Sequence, residues 1–211
     1  MDQQPVTAAP LGAAAVESWD FYNDGTRKPL LTVQMPYEVA RRAAAFHEAG
    51  HAVVTAAYGA HIKVTGVIDL PAAGGRWELT GRTEFDGPPI FFWRYAAQCA
   101  AGERAQVRYL KAAGLWSPGL QAACAHHDDY ESTAVWFREA GLVLTRDEDL
   151  PDGAYGMSWA SAARIADLML SMLWPYVEAV AAGIDARGLL TGDQAAALVG
   201  AVNPPPYGNP A

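Results

Sequence analysis

The chain has 211 residues, 51% of them apolar and only 18% charged. That composition fits one folded domain with a sizeable core and excludes a disordered chain. A formal net charge of −8 argues against bulk nucleic-acid binding and against adhesion to an anionic membrane, since both need clustered Lys and Arg. The two cysteines, Cys99 and Cys124, are too few for a disulfide framework or a cysteine-based zinc finger, and suggest a reducing, cytoplasmic setting.

The N-terminus lacks the basic and apolar regions of a signal peptide. Residues 43–60 and 165–184 are apolar enough to be tested as membrane spans. The first carries His47, Glu48 and His51, the second Asp167, Pro175 and Glu178, and such groups are costly in lipid. Both are expected to be buried helices of a soluble protein.

In chain order, residues 1–34 are rich in Ala, Pro, Gly and Asp without periodicity and read as an irregular extension. Pro36–Tyr58 reads as a helix, with Pro36 suited to the first turn and Gly59 to a left-handed C-terminal cap. Val39, Ala43, Phe46, Gly50, Val53 and Ala57 follow the spacing of a buried stripe. Ile62–Ile68 and Trp77–Thr83 then read as two strands joined by the turn Pro71-Ala-Ala-Gly-Gly75. In such a hairpin, Val64–Ile68 is a candidate for pairing with an extended peptide. A second helix is expected over Ile90–Lys111, ending before Gly114, and Trp116-Ser-Pro-Gly119 is a loop. A third helix lies within Gln121–Gly141, and Thr145–Gly156 is an acidic loop. A long helix runs from Ser158 to Ala182 with a bend at Pro175. Thr191-Gly-Asp-Gln194 matches a capping box opening a short helix over Asp193–Val199. The domain spans residues 35–200, and 201–211 form a proline-rich flexible tail. The fold class is mainly α with a small β-hairpin, an α+β arrangement. Trp93, Trp136, Trp159 and Trp174 are expected in the core. Cys99 and Cys124 read as small buried hydrophobes, and His61, past a helix end, as a cap or a solvent-facing group.

The segment Phe46-His-Glu-Ala-Gly-His-Ala-Val-Val54 carries the chemistry. On a helix, His47 and His51 stand one turn apart on one face and can both reach one zinc. Glu48 projects beside the metal, where it can take a proton from a zinc-bound water. Gly50 lets another element approach this helix closely. Catalytic zinc normally takes three protein ligands. No third histidine follows at the metzincin spacing. Glu78 and Glu84 fall on the hairpin, Glu103 lies on the second helix, and His126-His127-Asp128-Asp129-Tyr-Glu131 offers several ligand types. His126 and His127 read more simply as a solvated pair at a helix start.

Ala45-Phe-His-Glu-Ala-Gly-His-Ala-Val-Val54 resembles the active helix of the peptidase M41 family, the zinc protease domain of FtsH-type proteins. In the family a short hairpin follows, then a helix with an Ala-Gly-Arg-Ala-Ala-Glu-like motif, and then a helix start that supplies an aspartate ligand. Here Cys99-Ala-Ala-Gly-Glu-Arg-Ala-Gln106 and His127-Asp-Asp-Tyr-Glu131 come in the same order, and the similarity runs over 43–199. The resemblance implies a zincin-like helical protease domain, with His47 and His51 as zinc ligands and Glu48 as general base. It makes Asp129 the third ligand and Asp128 the alternative. Its implied substrates are peptides, loops or unfolded proteins. Gln106 stands where the family has a glutamate, which puts that carboxylate's role in question. No Gly-x-x-x-x-Gly-Lys-Ser/Thr phosphate loop occurs, so the activity is expected to be ATP-independent, with any unfoldase or adaptor a separate partner. The competing readings are a catalytically inactive zinc-binding scaffold and a regulatory endopeptidase with one protein target.

Overall fold

The computed structural model describes residues 16–21, 27–32, 36–71, 77–86, 91–117, 127–147 and 149–207. The elements in order are strands β1 (Val16–Phe21) and β2 (Arg27–Thr32), helix α1 (Tyr37–Ala57), and strands β3 (His61–Pro71) and β4 (Trp77–Asp86). Then come α2 (Phe92–Ala112), α3 (His127–Glu139), β5 (Val143–Thr145) and β6 (Gly156–Ser158). The chain continues with α4 (Trp159–Arg187), β7 (Leu189–Thr191) and α5 (Gly192–Leu198). The fold is mainly helical with a small antiparallel sheet, as the composition and periodicity suggest.

Helix α1 sits at the centre and packs on α2, α4, β3 and β4. Every residue from His47 to Thr55 is buried, so no face of this stretch meets solvent. Pro36 supplies the N-cap, and Gly59 takes the left-handed turn (φ 72°) that ends the helix. Gly50 permits the close packing: a Cβ there would overlap the Ala101 carbonyl and lie 2.7 Å from the Ala105 Cβ, both on α2. The over-used alanines lie along these seams. Ala45, Ala49, Ala52, Ala100, Ala101 and Ala166 are at most 1% exposed, and small side chains let helix axes approach closely. Arg41 ties α1 to the end of α4, with Nη1 2.9 Å from Asp185 Oδ1. The four tryptophans expected in the core pack partly buried against it, and Cys99 is buried. Cys124, His126 and the turn residues 72–76 and 118–120 lie outside the described residues.

The three-stranded sheet has the order β4-β3-β7. Val64–Ile68 therefore lies on the central strand, and β4 is the edge opposite β7. This corrects the expectation of a peptide-pairing edge at Val64–Ile68: β3 is hydrogen-bonded on both sides where Val64, Thr65 and Gly66 pair with Thr191, Leu190 and Leu189. Three-residue β7 carries too little alternation to announce itself as a strand. For the same reason the parallel pair β5–β6 bounds the segment read as an acidic loop.

Three other expectations change. Residues 1–34 are not wholly irregular, since β1 and β2 form an antiparallel pair with Trp19 opposite Pro29. Proline is tolerated there because a two-stranded ribbon leaves each strand one unpaired edge. The long helix runs five residues past Ala182, to Arg187, through Pro175 and Gly183, until Gly188 (φ 78°) stops it. Nor is that helix buried throughout: Leu168 and Met172 are 63% and 61% exposed. Among the described residues it is the one helix long and apolar enough to cross a membrane by length and composition.

The capping box at α5 is complete. Gln194 N–H donates to Thr191 Oγ1, and Thr191 N–H to Gln194 Oε1. Beyond it the first residues of the tail are fastened to the sheet. Asn203 accepts from Ile62 N–H and donates to Ile62 O, both at 2.9 Å, and Pro204 O accepts from His61 Nδ1. His61 thus meets the tail rather than capping a helix. Asn203→Ala should cost about 1–3 kcal/mol, because it orphans a strand N–H and carbonyl. Urea unfolding should show a lower midpoint with an unchanged slope, and an unchanged midpoint would mean the tail contributes nothing.

Candidate metal centre

Two helices deliver one cluster. The α-helical spacing puts His47 and His51 on the α1 face toward α2, and their Nε2 atoms stand 3.0 Å apart. The first turn of α3 brings in Asp129, whose Oδ2 lies 3.2 Å from His47 Nε2 and 3.5 Å from His51 Nε2. Both imidazoles are buried, and the aspartate is partly so. Of the acidic candidates, Asp129 is the one whose carboxylate joins the histidine pair. Asp128 is exposed in the same turn, and Glu103 is half-buried outside the group. Burial raises the Glu103 carboxyl above its ordinary range, with Arg104 opposing.

The ring orientations follow from the second nitrogens. His51 Nδ1 lies 2.8 Å from the Gln98 carbonyl, which can only accept, so Nδ1 carries the proton. His47 Nδ1 faces Gln106 Oε1 at 3.3 Å, which calls for the same tautomer. Both rings then turn Nε2 toward Asp129 Oδ2. That oxygen is itself buried without a hydrogen-bond donor.

Such a cluster could hold a metal ion. Burial alone would lower the pKa of His51, but the adjacent Asp129 carboxylate overrides it and raises His51 to about 9. Burial alone would raise Asp129, yet His51 and His47 hold it well below the ordinary carboxylate range. A proton on one nitrogen satisfies one pair of acceptors, whereas a metal ion satisfies all three. Two imidazoles and one carboxylate form a donor set suited to zinc.

The surroundings make room for it. Gly102 of α2 lies flat against the rings: a Cβ there would sit on His51 Nε2 and 2.5 Å from His47 Nε2. Glu48, 5% exposed, is held from the sheet. Thr83 Oγ1 donates to its Oε2 at 2.5 Å, and Thr65 and Thr83 hydroxyls stand 2.8 Å apart beneath its backbone carbonyl. Gly81 of β4 leaves space for this carboxylate, since a Cβ would lie 2.8 Å from Glu48 Cδ and overlap Oε1. A cavity of about 220 Å³ borders Glu48, His51, Gly81, Tyr95 and Asp129. Cys99 lies on its wall, but burial pushes its thiol up to about 12, so it stays protonated.

Gly81, Thr83, Thr65, Gln98 and Gly102 were not singled out in the sequence. Most of them act through distant pairings that no local pattern announces, although Gly102 is itself the glycine of the Cys99-Ala-Ala-Gly stretch quoted for the family resemblance. Gln106, whose place in the site the sequence left in question, does reach it as a hydrogen-bond partner of His47.

Neither a protein-family model nor a curated protein matches the chain. Functional assignment therefore rests on this geometry. The chain should bind one zinc per molecule by competitive chelator titration. His47→Ala or Asp129→Ala should lose it, and Asp128→Asn should keep it. Gln106→Ala should weaken binding about 10–100-fold, the usual effect of removing a partner that orients a ligand. Full binding by Asp129→Ala would overturn the ligand assignment.

Proposed function

We propose that the protein is a zinc-dependent metallopeptidase, M41-like in the order of its elements, that hydrolyses peptides, loops or unfolded chains without ATP. The observation that supports this reading best is the Glu48 carboxylate, held by Thr83 at a cavity shared with His51 and Asp129. A purely structural metal site needs neither the cavity nor the poised carboxylate.

His47, His51 and Asp129 would hold the ion. When bound, zinc supplies Lewis-acid polarisation of a carbonyl and makes water acidic enough to lose a proton near neutral pH. Glu48 accepts that proton and returns it to the departing amine, as a general base and then a general acid. The Thr83 hydroxyl keeps one carboxylate oxygen engaged, which leaves the other for proton transfer. Gly81 keeps the floor under that oxygen open.

The edge strand β4 passes beside Glu48; among the described residues no strand pairs with its outer side, where an extended substrate backbone would pair. This mode selects unfolded or loop segments, because a folded strand is already paired. It takes the place of Val64–Ile68 as the candidate substrate strand.

Glu48→Gln should retain zinc and lose at least ~100-fold in kcat on an unfolded casein substrate, since general acid–base catalysis supplies about 10²–10⁴-fold. Thr83→Val should lower kcat with little change in KM. Zinc-loaded wild type with no turnover on any unfolded substrate would favour the inert scaffold reading. Full activity in Glu48→Gln would exclude the proposed mechanism.

A further inference from the structure

We infer that the Tyr95 hydroxyl is the hydrogen-bond donor to the oxyanion formed when water adds to the scissile carbonyl, which makes Tyr95 a catalytic residue alongside Glu48. The inference rests on the peptidase reading above and supplies a group which that reading lacks. Water addition places the carbonyl π electrons on oxygen, and a donor already fixed beside that oxygen gains strength as the charge appears. Glu48 cannot fill this role, because it accepts a proton in the same step.

Among the described residues, the donors around the Glu48 cavity narrow to one. Its walls carry Arg82, Thr83, Gln98, Cys99, Ser132 and Tyr95. Thr83 Oγ1 gives its only hydrogen to Glu48. Arg82 is exposed and ion-paired with Glu84. The Gln98 side chain is fully buried, out of a substrate's reach. Ser132 is exposed, and a solvated hydroxyl rotor is not preorganised. The Cys99 thiol is a weak donor. Tyr95 is half-buried on α2, and a phenol, with an ordinary pKa of about 10, is protonated at neutral pH.

The Tyr95 ring is held in place. It stacks on Trp136 of α3, with centroids 4.7 Å and planes 29° apart, and Phe85 of β4 packs on it at 6.2 Å. The same helix delivers Asp129 and the same strand delivers Thr83, so the phenol is registered to both halves of the site. Its proton rests on a poor acceptor. The hydroxyl is hydrogen-bonded to the Cys99 thiol, and the thiol to Thr133. Thr133 Oγ1 donates its one hydrogen to the Asp129 carbonyl at 2.7 Å. It therefore accepts from the thiol, and the sulfur in turn accepts from Tyr95. Sulfur is a weak acceptor, whereas hydrogen bonds to an ionised oxygen are roughly twice as strong as neutral ones. Turning the O–H from sulfur to the substrate oxygen gains most once the charge has developed, which favours the transition state over bound substrate. The proton stays on Tyr95. The departing amine takes its proton from Glu48, and the carbonyl double bond re-forms as the C–N bond breaks.

Steady-state cleavage of unfolded casein by the zinc-loaded chain tests this. Tyr95→Phe keeps the ring on Trp136 and should lose about 100-fold in kcat with little change in KM, the effect of removing one oxyanion donor. Its zinc affinity and circular dichroism should match wild type. Cys99→Ala removes the resting partner but leaves the donor, so it should lose far less. Equal losses in the two variants would reduce Tyr95 to a structural partner of Cys99 and overturn the inference. Calorimetry gives a reading independent of turnover. A phosphinic tetra-alanine, whose tetrahedral P–O⁻ group copies the oxyanion, should bind Tyr95→Phe about 10–100-fold more weakly, the loss of one hydrogen bond to a charged group. Unchanged phosphinic binding would overturn the inference. So would wild-type kcat in Tyr95→Phe beside an inactive Glu48→Gln, and that result would leave the peptidase reading standing. Wild type without turnover would remove both.

Discussion

The close approach of α1 to α2 is the constraint on which the rest of the molecule depends. It requires two missing side chains. Gly50 admits the Ala101 carbonyl, and Gly102 admits the two imidazoles. With a methyl at either position the helices must separate, and overpacking of this kind costs about 1–3 kcal/mol. Separation would also withdraw the Gln98 carbonyl from His51 and the Gln106 carboxamide from His47. The packing that stabilises the core and the hydrogen bonds that set both tautomers are thus one arrangement. The alanine-rich composition has the same cause, because buried alanines let α1, α2 and α4 share one small volume.

The sheet adds the second half of the site. Strands β3 and β4 lie over the middle of α1, and Thr65 and Thr83, paired across the two strands, grip Glu48 by its backbone carbonyl and its carboxylate. The helix face toward α2 gathers the metal-binding atoms, while the adjoining face presents the carboxylate to the sheet. Consecutive residues His47 and Glu48 diverge by about 100° around the helix, so each falls to a different layer. That divergence separates the group that would hold the ion from the group that would move the proton.

The legible parts of the sequence were those with a local cause. The α1 boundaries were marked by Pro36 and Gly59, the α5 start by Thr191 and Gln194, and the His47–Glu48–His51 spacing by helical periodicity alone. Asp129 was separable from Asp128 only through a family resemblance. The physical reason is visible in the fold: the two lie in one helical turn about 100° apart, and only one faces α1. Short strands such as β7, β5 and β6 left no periodic trace, and their existence depends on the partners they meet. Apolar content misled at α4, where hydrophobic residues implied burial but a ridge of them faces outward.

The central claim is that His47, His51 and Asp129 converge as acceptors around one metal ion and that Cys99, although it borders the same cavity, stays a protonated thiol. X-ray absorption at the zinc edge of the loaded protein tests this most directly. It should show two imidazole nitrogens at about 2.0–2.1 Å, oxygen at about 2.0–2.2 Å and no sulfur. A sulfur shell at about 2.3 Å, or fewer than two imidazoles, would contradict it.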